Sequence, residues 1–241
     1  MMRVKNITKR FGDHTVLRGV SIDVHDGETL VLLGKSGSGK SVLLKMLIGL
    51  IKPDSGSILI DDHDVTTMNY RELREYRKQF GFVFQEAALF DSLTVEQNLA
   101  LALRQRGVTQ EQVIREQVRN ALDRVDLENI EHQSPSTLSG GMRKRVGLAR
   151  AIVVKPQYML YDEPTTGLDV STAEDINQLI LNLHSRLGIT SVLVTHDVRG
   201  AVRLADRLAI LHDGLILTVG TLEEIKKTND PEVRNFIKDL P

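Results

Sequence analysis

The chain has 241 residues, 41% of them apolar, a net charge of −1 and no cysteine. That length suits one α/β domain with an insertion, or two small lobes. The charge balance excludes a global field that would steer the protein to nucleic acid or anionic lipid, and the missing cysteines exclude a disulfide framework and a thiolate metal site.

Taken in order, Met1-Met2-Arg3-Val4-Lys5-Asn6 lacks the apolar core of a signal peptide. No apolar run approaches the roughly 20 residues that span a bilayer, so a membrane role is expected to come through a partner. Residues 3–10 alternate as a short edge strand does, Phe11-Gly12-Asp13-His14 reads as a turn, and Thr15 to Val24 as a second strand. Phe11 has two open roles: stacking on a nucleobase, or capping the end of the sheet. Asp26-Gly27 carries a two-residue hairpin signal, and the third strand is expected over Glu28 to Leu33.

That strand delivers Gly34-Lys35-Ser36-Gly37-Ser38-Gly39-Lys40-Ser41, which fits the spacing G-x-x-x-x-G-K-[ST] without a mismatch. A helix-patterned run from Ser41 to Leu50 follows. Glycines in such a loop let successive backbone N–H groups turn toward one point, and the helix N-terminus adds partial positive charge there. Lys40 would bridge the outer phosphates of a nucleoside triphosphate, and the Ser41 hydroxyl would hold Mg²⁺.

Beyond it, Lys52-Pro53-Asp54-Ser55-Gly56 is a turn, Ser57 to Ile60 a short strand, and Asp61-Asp62-His63-Asp64 a solvated hairpin turn rather than a metal site, because adjacent side chains do not converge on one ion. Asn69 to Gln79 is a charged amphipathic helix, and Phe80 to Phe84 a buried strand ending at Gln85. From Glu86 a helical insertion is expected, with helices over Thr94 to Arg104 and Glu111 to Val125, the second capped by Thr109. Ser134-Pro135-Ser136-Thr137 reads as a loop. Leu138-Ser139-Gly140-Gly141 opens a helix over Met142 to Val153, a second and weaker candidate anion site.

Tyr158 to Tyr161 is an apolar strand that ends in Asp162 and Glu163. In a P-loop protein, a carboxylate at such a strand end meets the metal shell, and its neighbour is placed to orient or deprotonate water. Thr165 to Asp169 connects to a helix over Ser171 to Leu187, and a strand over Thr190 to Thr195 ends at His196-Asp197. Three parallel strands thus end in polar groups, at the edge where open α/β sheets bind ligands, which favours a γ-phosphate contact for His196. Arg199 to Ala205 is a short helix, Arg207 to Leu211 and Leu215 to Val219 a hairpin across Asp213-Gly214, and Thr221 to Lys227 and Asp230 to Pro241 a helical tail.

The series Gly34–Ser41, Gln85, Leu138-Ser139-Gly140-Gly141-Met142, Tyr161-Asp162-Glu163, Gly167-Leu168-Asp169 and Thr195-His196-Asp197 resembles the ATP-binding subunit of an ABC transporter. The resemblance runs from Val4 to about Val219. It implies an α/β fold: a RecA-like P-loop core, an N-terminal antiparallel β lobe and an inserted helical lobe at about 86–153. The ATPase domain would occupy 1–220 and the C-terminal tail 221–241. It also implies ATP and Mg²⁺ as ligands. Phe11 would stack on adenine, with Val16, Gly34, Lys35, Ser36, Gly37, Ser38, Gly39, Lys40, Ser41 and Val42 forming the rest of the nucleotide site. Ser41, Gln85 and Asp162 would surround the metal. Gln85 would also touch the attacking water and sense the membrane partner, Glu163 would be the general base, and His196 the γ-phosphate switch. Ser139, Gly140 and Gly141 would reach ATP held by a second copy of the chain, with Asp169 at the seam.

Met142 stands where most members have glutamine. The segments Lys35 to Lys45, Gln85-Glu86-Ala87-Ala88-Leu89-Phe90-Asp91-Ser92-Leu93-Thr94-Val95, Gly141-Met142-Arg143-Lys144-Arg145-Val146 and Asp230 to Phe236 are similar to those of the ATPases of MCE-associated, Mla-type lipid transporters. That similarity implies a phospholipid or other hydrophobic substrate, an integral permease, an MCE-domain lipid-binding partner, no nucleic acid, and a position on the cytoplasmic face of the inner membrane. Another transported substrate, or a soluble ATPase of the same family, is the alternative. Leu89, Phe90 and Leu93 would be lobe core or the groove for a permease helix, and Arg143-Lys144-Arg145 a solvated helix face.

Overall fold

The computed structural model describes residues 1–238. Asp239, Leu240 and Pro241, the end of the expected tail, lie outside the described residues. The chain forms two compact units: residues 1–77 with the chain from Gly188 onward, and Lys78–Leu187.

The first unit holds two sheets. One is antiparallel, with β1 (Met2–Phe11), β2 (His14–Val24), β4 (Ser55–Ile60) and β5 (His63–Asp64) in the order β2-β1-β4-β5. The expectation that residues 3–10 form an edge strand is therefore corrected. β1 is interior and pairs with β2 on one side and β4 on the other. Alternating burial marks a strand with one face covered, but not how many neighbours it has. The second sheet contains β3 (Thr29–Leu33), β8 (Thr190–Thr195), β9 (Arg207–His212) and β10 (Leu215–Gly220). β3 runs parallel to both β8 and β9, and β10 closes the edge as an antiparallel hairpin with β9. The hairpin expected at Asp26-Gly27 does not exist. Gly27 does adopt φ 75°, but β2 and β3 belong to different sheets, so the turn passes the chain from one to the other.

β3 is buried along its whole length, as a parallel strand covered on both faces must be. Leu30 and Leu32 meet Val4, Ile22 and Val24 of the antiparallel sheet and Leu43, Leu44 and Leu47 of helix α1 (Lys40–Leu47) around one apolar centre. Each such side chain, fully buried, contributes roughly 1.5–3 kcal/mol. Helix α2 (Tyr70–Tyr76) begins at a capping box, Asn69 with Glu72, and Tyr76 donates its hydroxyl to the Leu47 carbonyl at 2.6 Å. Helices α7 (Val198–Leu204), α8 (Leu222–Lys226) and α9 (Pro231–Ile237) complete this unit.

The second unit has the parallel pair β6 (Phe80–Val83) and β7 (Tyr158–Asp162), with helices α3 (Val95–Gln105), α4 (Glu111–Asp123), α5 (Gly140–Ile152) and α6 (Val170–Leu187). Gly81 lets α5 approach β6, since a Cβ there would stand 2.6 Å from the Ala151 carbonyl oxygen. Thr94 caps α3 as part of a capping box with Gln97. Thr109 does not cap α4; the helix starts one residue later than that, with Gln110 at the N-cap and no side-chain cap bond. The expected loop at 134–137 contains a short 3-10 turn, Pro135–Thr137. Among the described residues, no helix is long and apolar enough to cross a membrane.

Candidate functional site

In the first unit the phosphate-type loop leaves β3 and enters α1. Gly37 and Gly39 take φ 80° and 103°, where a side chain is strained, and Gly34 solves a different problem. A Cβ on Gly34 would sit 2.4 Å from the Leu211 carbonyl oxygen and 2.7 Å from Ser38 Oγ, so only glycine fits against that strand. A Cβ on Gly39 would strike Leu17 and Val16 at 2.7 and 3.0 Å, which puts Val16 directly beneath the loop. Lys40 is 4% exposed and donates to the carbonyls of Gly34 and Lys35 at 2.8 and 3.1 Å. Its ammonium is therefore held inside the loop it belongs to.

Ser38 Oγ is buried and, among the described residues, has no hydrogen-bond partner. A buried orphan hydroxyl costs roughly 1–3 kcal/mol unless a ligand satisfies it. An orphan donor, a buried cation and a helix N-terminus around one glycine-shaped hollow fit a polyphosphate. His196 follows β8, whose Thr195 pairs in register with Leu33, the residue before Gly34. The sheet thus brings His196 to the end of the strand that carries the loop, and its side chain is exposed there. Asp197 caps α7 by accepting from the Arg199 amide at 3.0 Å. Phe11 lies at the end of β1, 47% exposed, with Lys9 Nζ 5.4 Å from its ring centroid.

In the second unit, Asp162 ends β7, Glu163 follows it, and both are buried. Glu163 has φ 50°, a left-handed backbone that a non-glycine residue adopts at a cost on the order of 1 kcal/mol, and such residues gather at functional sites. The Thr166 hydroxyl donates to Glu163 Oε2 at 3.2 Å and steadies the carboxylate. Ser139 is the N-cap of α5 and accepts from the Met142 amide at 3.2 Å. Gly141 lies where a Cβ would be 2.7 Å from Thr172 of α6, so this glycine sets the approach of two helix N-termini. Asp169 is exposed and accepts from the Thr172 hydroxyl and amide at 2.6 and 3.0 Å; those bonds, the hydroxyl first, hold its carboxyl below the usual range. Gln85 and Glu86 are exposed in the loop after β6. Phe90 is 53% exposed, and the loop behind it is held by buried Asn98, which accepts from the Phe90 amide and donates to the Phe90, Leu93 and Thr94 carbonyls.

The structure thus gathers Gly34–Ser41, Val16 and His196 in one unit, and Gln85, Asp162, Glu163, Ser139–Gly141 and Asp169 in the other. Residues 17–166 match the ABC transporter family. The chain belongs to that family.

Curated relatives of this ABC cassette include the probable ribonucleotide transport ATP-binding protein of Mycobacterium leprae, 42% identical over 98% of this chain and 68% of its own length. Another is the sulfate/thiosulfate import ATP-binding protein of Synechocystis, 41% identical over 98% of this chain and 65% of its own length. The chain therefore spans about two thirds of the length of these relatives. Among solved structures, an ATP-binding cassette dimer in a post-hydrolysis state with ADP and Pi superposes with TM-score 0.84 at 35% identity, covering 92% of this chain and 99% of that one. A cassette of Clostridium perfringens, part of an ABC transporter complex, gives 0.85 at 29% identity over 100% of this chain and 95% of that one. The α/β ABC ATPase fold is established, and the chain is an ATP-binding ATPase subunit of this family.

One expectation is corrected at this site. Arg143-Lys144-Arg145 is not a solvated face. Lys144 is 7% exposed, Arg145 donates to the Val125 carbonyl at 2.9 Å and meets Asp126 at 3.0 Å, and only Arg143 is largely in solvent. Lys144 Nζ donates to the Gln85 carbonyl, and burial pushes its pKa down against the opposing pull of Glu86 and Glu163. Three adjacent cations read alike in sequence; their separation appears only once α5 is laid against a neighbour.

Proposed function

We propose that this chain hydrolyses ATP to power an integral membrane permease, with residues 1–220 as the ATPase domain and 221–241 as an appended tail. The observation that carries the reading is the glycine-shaped hollow at Gly34, with buried Lys40 and the orphan Ser38 hydroxyl around it. The loop residues Gly34 to Ser41, with Val16 and Val42 beside them, hold the phosphates, and the exposed Phe11 stacks on the base. Ser41, Gln85 and Asp162 offer hard oxygen donors suited to Mg²⁺, which neutralises phosphate charge when bound. Glu163 takes the proton of the attacking water, and His196 reports on the γ-phosphate.

Two copies act together, each lending Ser139–Gly141 to nucleotide held by the other, with Asp169 at the seam. The exposed Phe90 loop, fixed by Asn98, suits a permease helix. The transported molecule is a phospholipid or another hydrophobic compound, and an MCE-domain protein is the further partner. This substrate reading rests on residues 35–45, 85–95 and 141–146 and the segment Asp230 to Phe236, and it implies work at the cytoplasmic face of an inner membrane.

The test is purification of the native complex from detergent-solubilised membranes, as parent and as Glu163→Gln. The variant is expected to bind ATP, stay dimeric, and hydrolyse about 10²–10⁴-fold more slowly. Parent-level hydrolysis would refute the general base, and a complex free of bound lipid would refute the substrate reading.

A further inference from the structure

Helix α5 starts at Ser139–Gly141, yet much of its chemistry lies farther along. Lys144, Gly147 and Arg150 are spaced by three and share one face of the helix. All three meet the loop after β6. Lys144 Nζ donates to the Gln85 carbonyl. Arg150 spreads across the Ala87 carbonyl, Nη2 at 2.6 Å, and the Ala88 carbonyl, Nη1 at 2.5 Å. Between the cations Gly147 leaves a gap: a Cβ there would stand 3.2 Å from the Cβ of Ala87. The face is a mould of charge, hollow and charge.

The loop needs such a mould. Ala87 and Ala88 have φ 58° and 49°, two consecutive left-handed alanines. Each costs on the order of 1 kcal/mol and persists only where the surroundings over-determine it. Hydrogen bonds to charged donors are roughly twice as strong as neutral ones, so carbonyls held by an ammonium and a guanidinium supply that constraint. Arg150 suits two carbonyls because its planar fork can serve both.

We propose that Lys144 and Arg150 are positioning residues that fasten the Gln85–Ala88 loop to helix α5, and that Gln85 is thereby held in place for hydrolysis. The loop then moves with the helix that begins at Ser139. A displacement of one reaches the other without an intermediate contact. The catalytic part of this inference rests on the ATPase reading above; the mechanical part does not.

The experiment compares the parent complex with Lys144→Met, Lys144→Arg and Arg150→Lys. It measures steady-state ATP hydrolysis and amide hydrogen exchange over residues 84–90. Lys144→Met keeps side-chain length and loses charge. It is expected to lower kcat by tenfold to a hundredfold, since a shift of about 1 Å can cost on the order of 10²-fold, while KM for ATP stays within about twofold. Exchange in the loop should rise about tenfold, the factor that matches losing roughly 1.4 kcal/mol from a charged hydrogen bond. Lys144→Arg should restore most of kcat. Arg150→Lys, unable to fork, should raise loop exchange as well and serves if Lys144→Met fails to fold. Unchanged loop exchange in the variants overturns the fastening. Raised exchange with parent kcat, or a loss that arginine does not rescue, overturns the positioning of Gln85 for hydrolysis. A parent complex with no ATP hydrolysis would refute the ATPase reading, while the exchange data would still decide the fastening.

Discussion

The two units hold unusual backbone in opposite ways. In the first, left-handed conformations fall on glycines such as Gly37 and Gly39, or on Asn6, Asp61, Asp62 and Asp213, residue types that tolerate that region. In the second they fall on Glu163, Ala87, Ala88 and Lys155 as well. The first unit obtains its shape cheaply, by omitting side chains. The second stores strain, and its restraints are the Thr166 hydroxyl and the two cations of α5. A rigid hollow suits a ligand whose phosphates always have the same form. A strained segment suits a part that has to occupy one position reliably and release it under load.

The largest expected effect tests the cheap side. Gly34→Ala puts a Cβ against the Leu211 carbonyl oxygen, where backbone must yield. ATP affinity should fall at least 10²-fold and stability by about 1–3 kcal/mol, read by nucleotide titration and urea unfolding. Retained affinity would show that the hollow is not shaped by glycine. The strained side predicts an opposite sign. Ala88→Gly removes a left-handed alanine at an exposed site and should raise stability by about 0.5–1 kcal/mol in urea unfolding. A loss of stability would mean that the loop carries no strain and would dissolve the contrast.

The smallest effect is electrostatic. Asp169, held down first by the Thr172 hydroxyl, Asp54 by Lys9, and Glu224 by the Thr221 amide all sit below the usual carboxylate range. A depressed folded pKa gives stability that is complete above the ordinary value of about 4 and is lost as pH falls through the folded value. Urea midpoints should therefore decline on acidification below about pH 4, and Asp169→Asn should shallow that decline slightly. An unchanged profile in the variant would remove Asp169 from the acid response.

Local chemistry was readable. Thr190 to Thr195 is a strand with the bounds its β-branched run implies, and the Asp213-Gly214 turn joins β9 to β10. The phosphate loop was readable because its demands are all within eight residues. What could not be read depends on partners remote in the chain. β1 is interior because β4 returns to it from Ser55 onward, a neighbour that alternation does not announce. Asp26-Gly27 turns the chain correctly but into another sheet. Lys144 differs from Arg143 only through the loop that lies over it. Glu163 was legible as a carboxylate at a strand end, while its left-handed backbone was not, since glutamate does not advertise that conformation as glycine, asparagine and aspartate do.

The neighbours of β3 have a consequence for the order of events during synthesis. This strand leaves the ribosome well before its sheet partners β8 and β9, and its first amide is held by Asp206, 177 residues further on. The wall that shapes Gly34 is the Leu211 carbonyl, later still. Closing contacts of such separation is slow, and they form only after β8 and β9 have emerged. Until then the nascent β3 is an apolar strand without its sheet neighbours. The hollow at Gly34 is complete only once that wall is in place, so a chain in which it is shaped has already built its β8–β9 region.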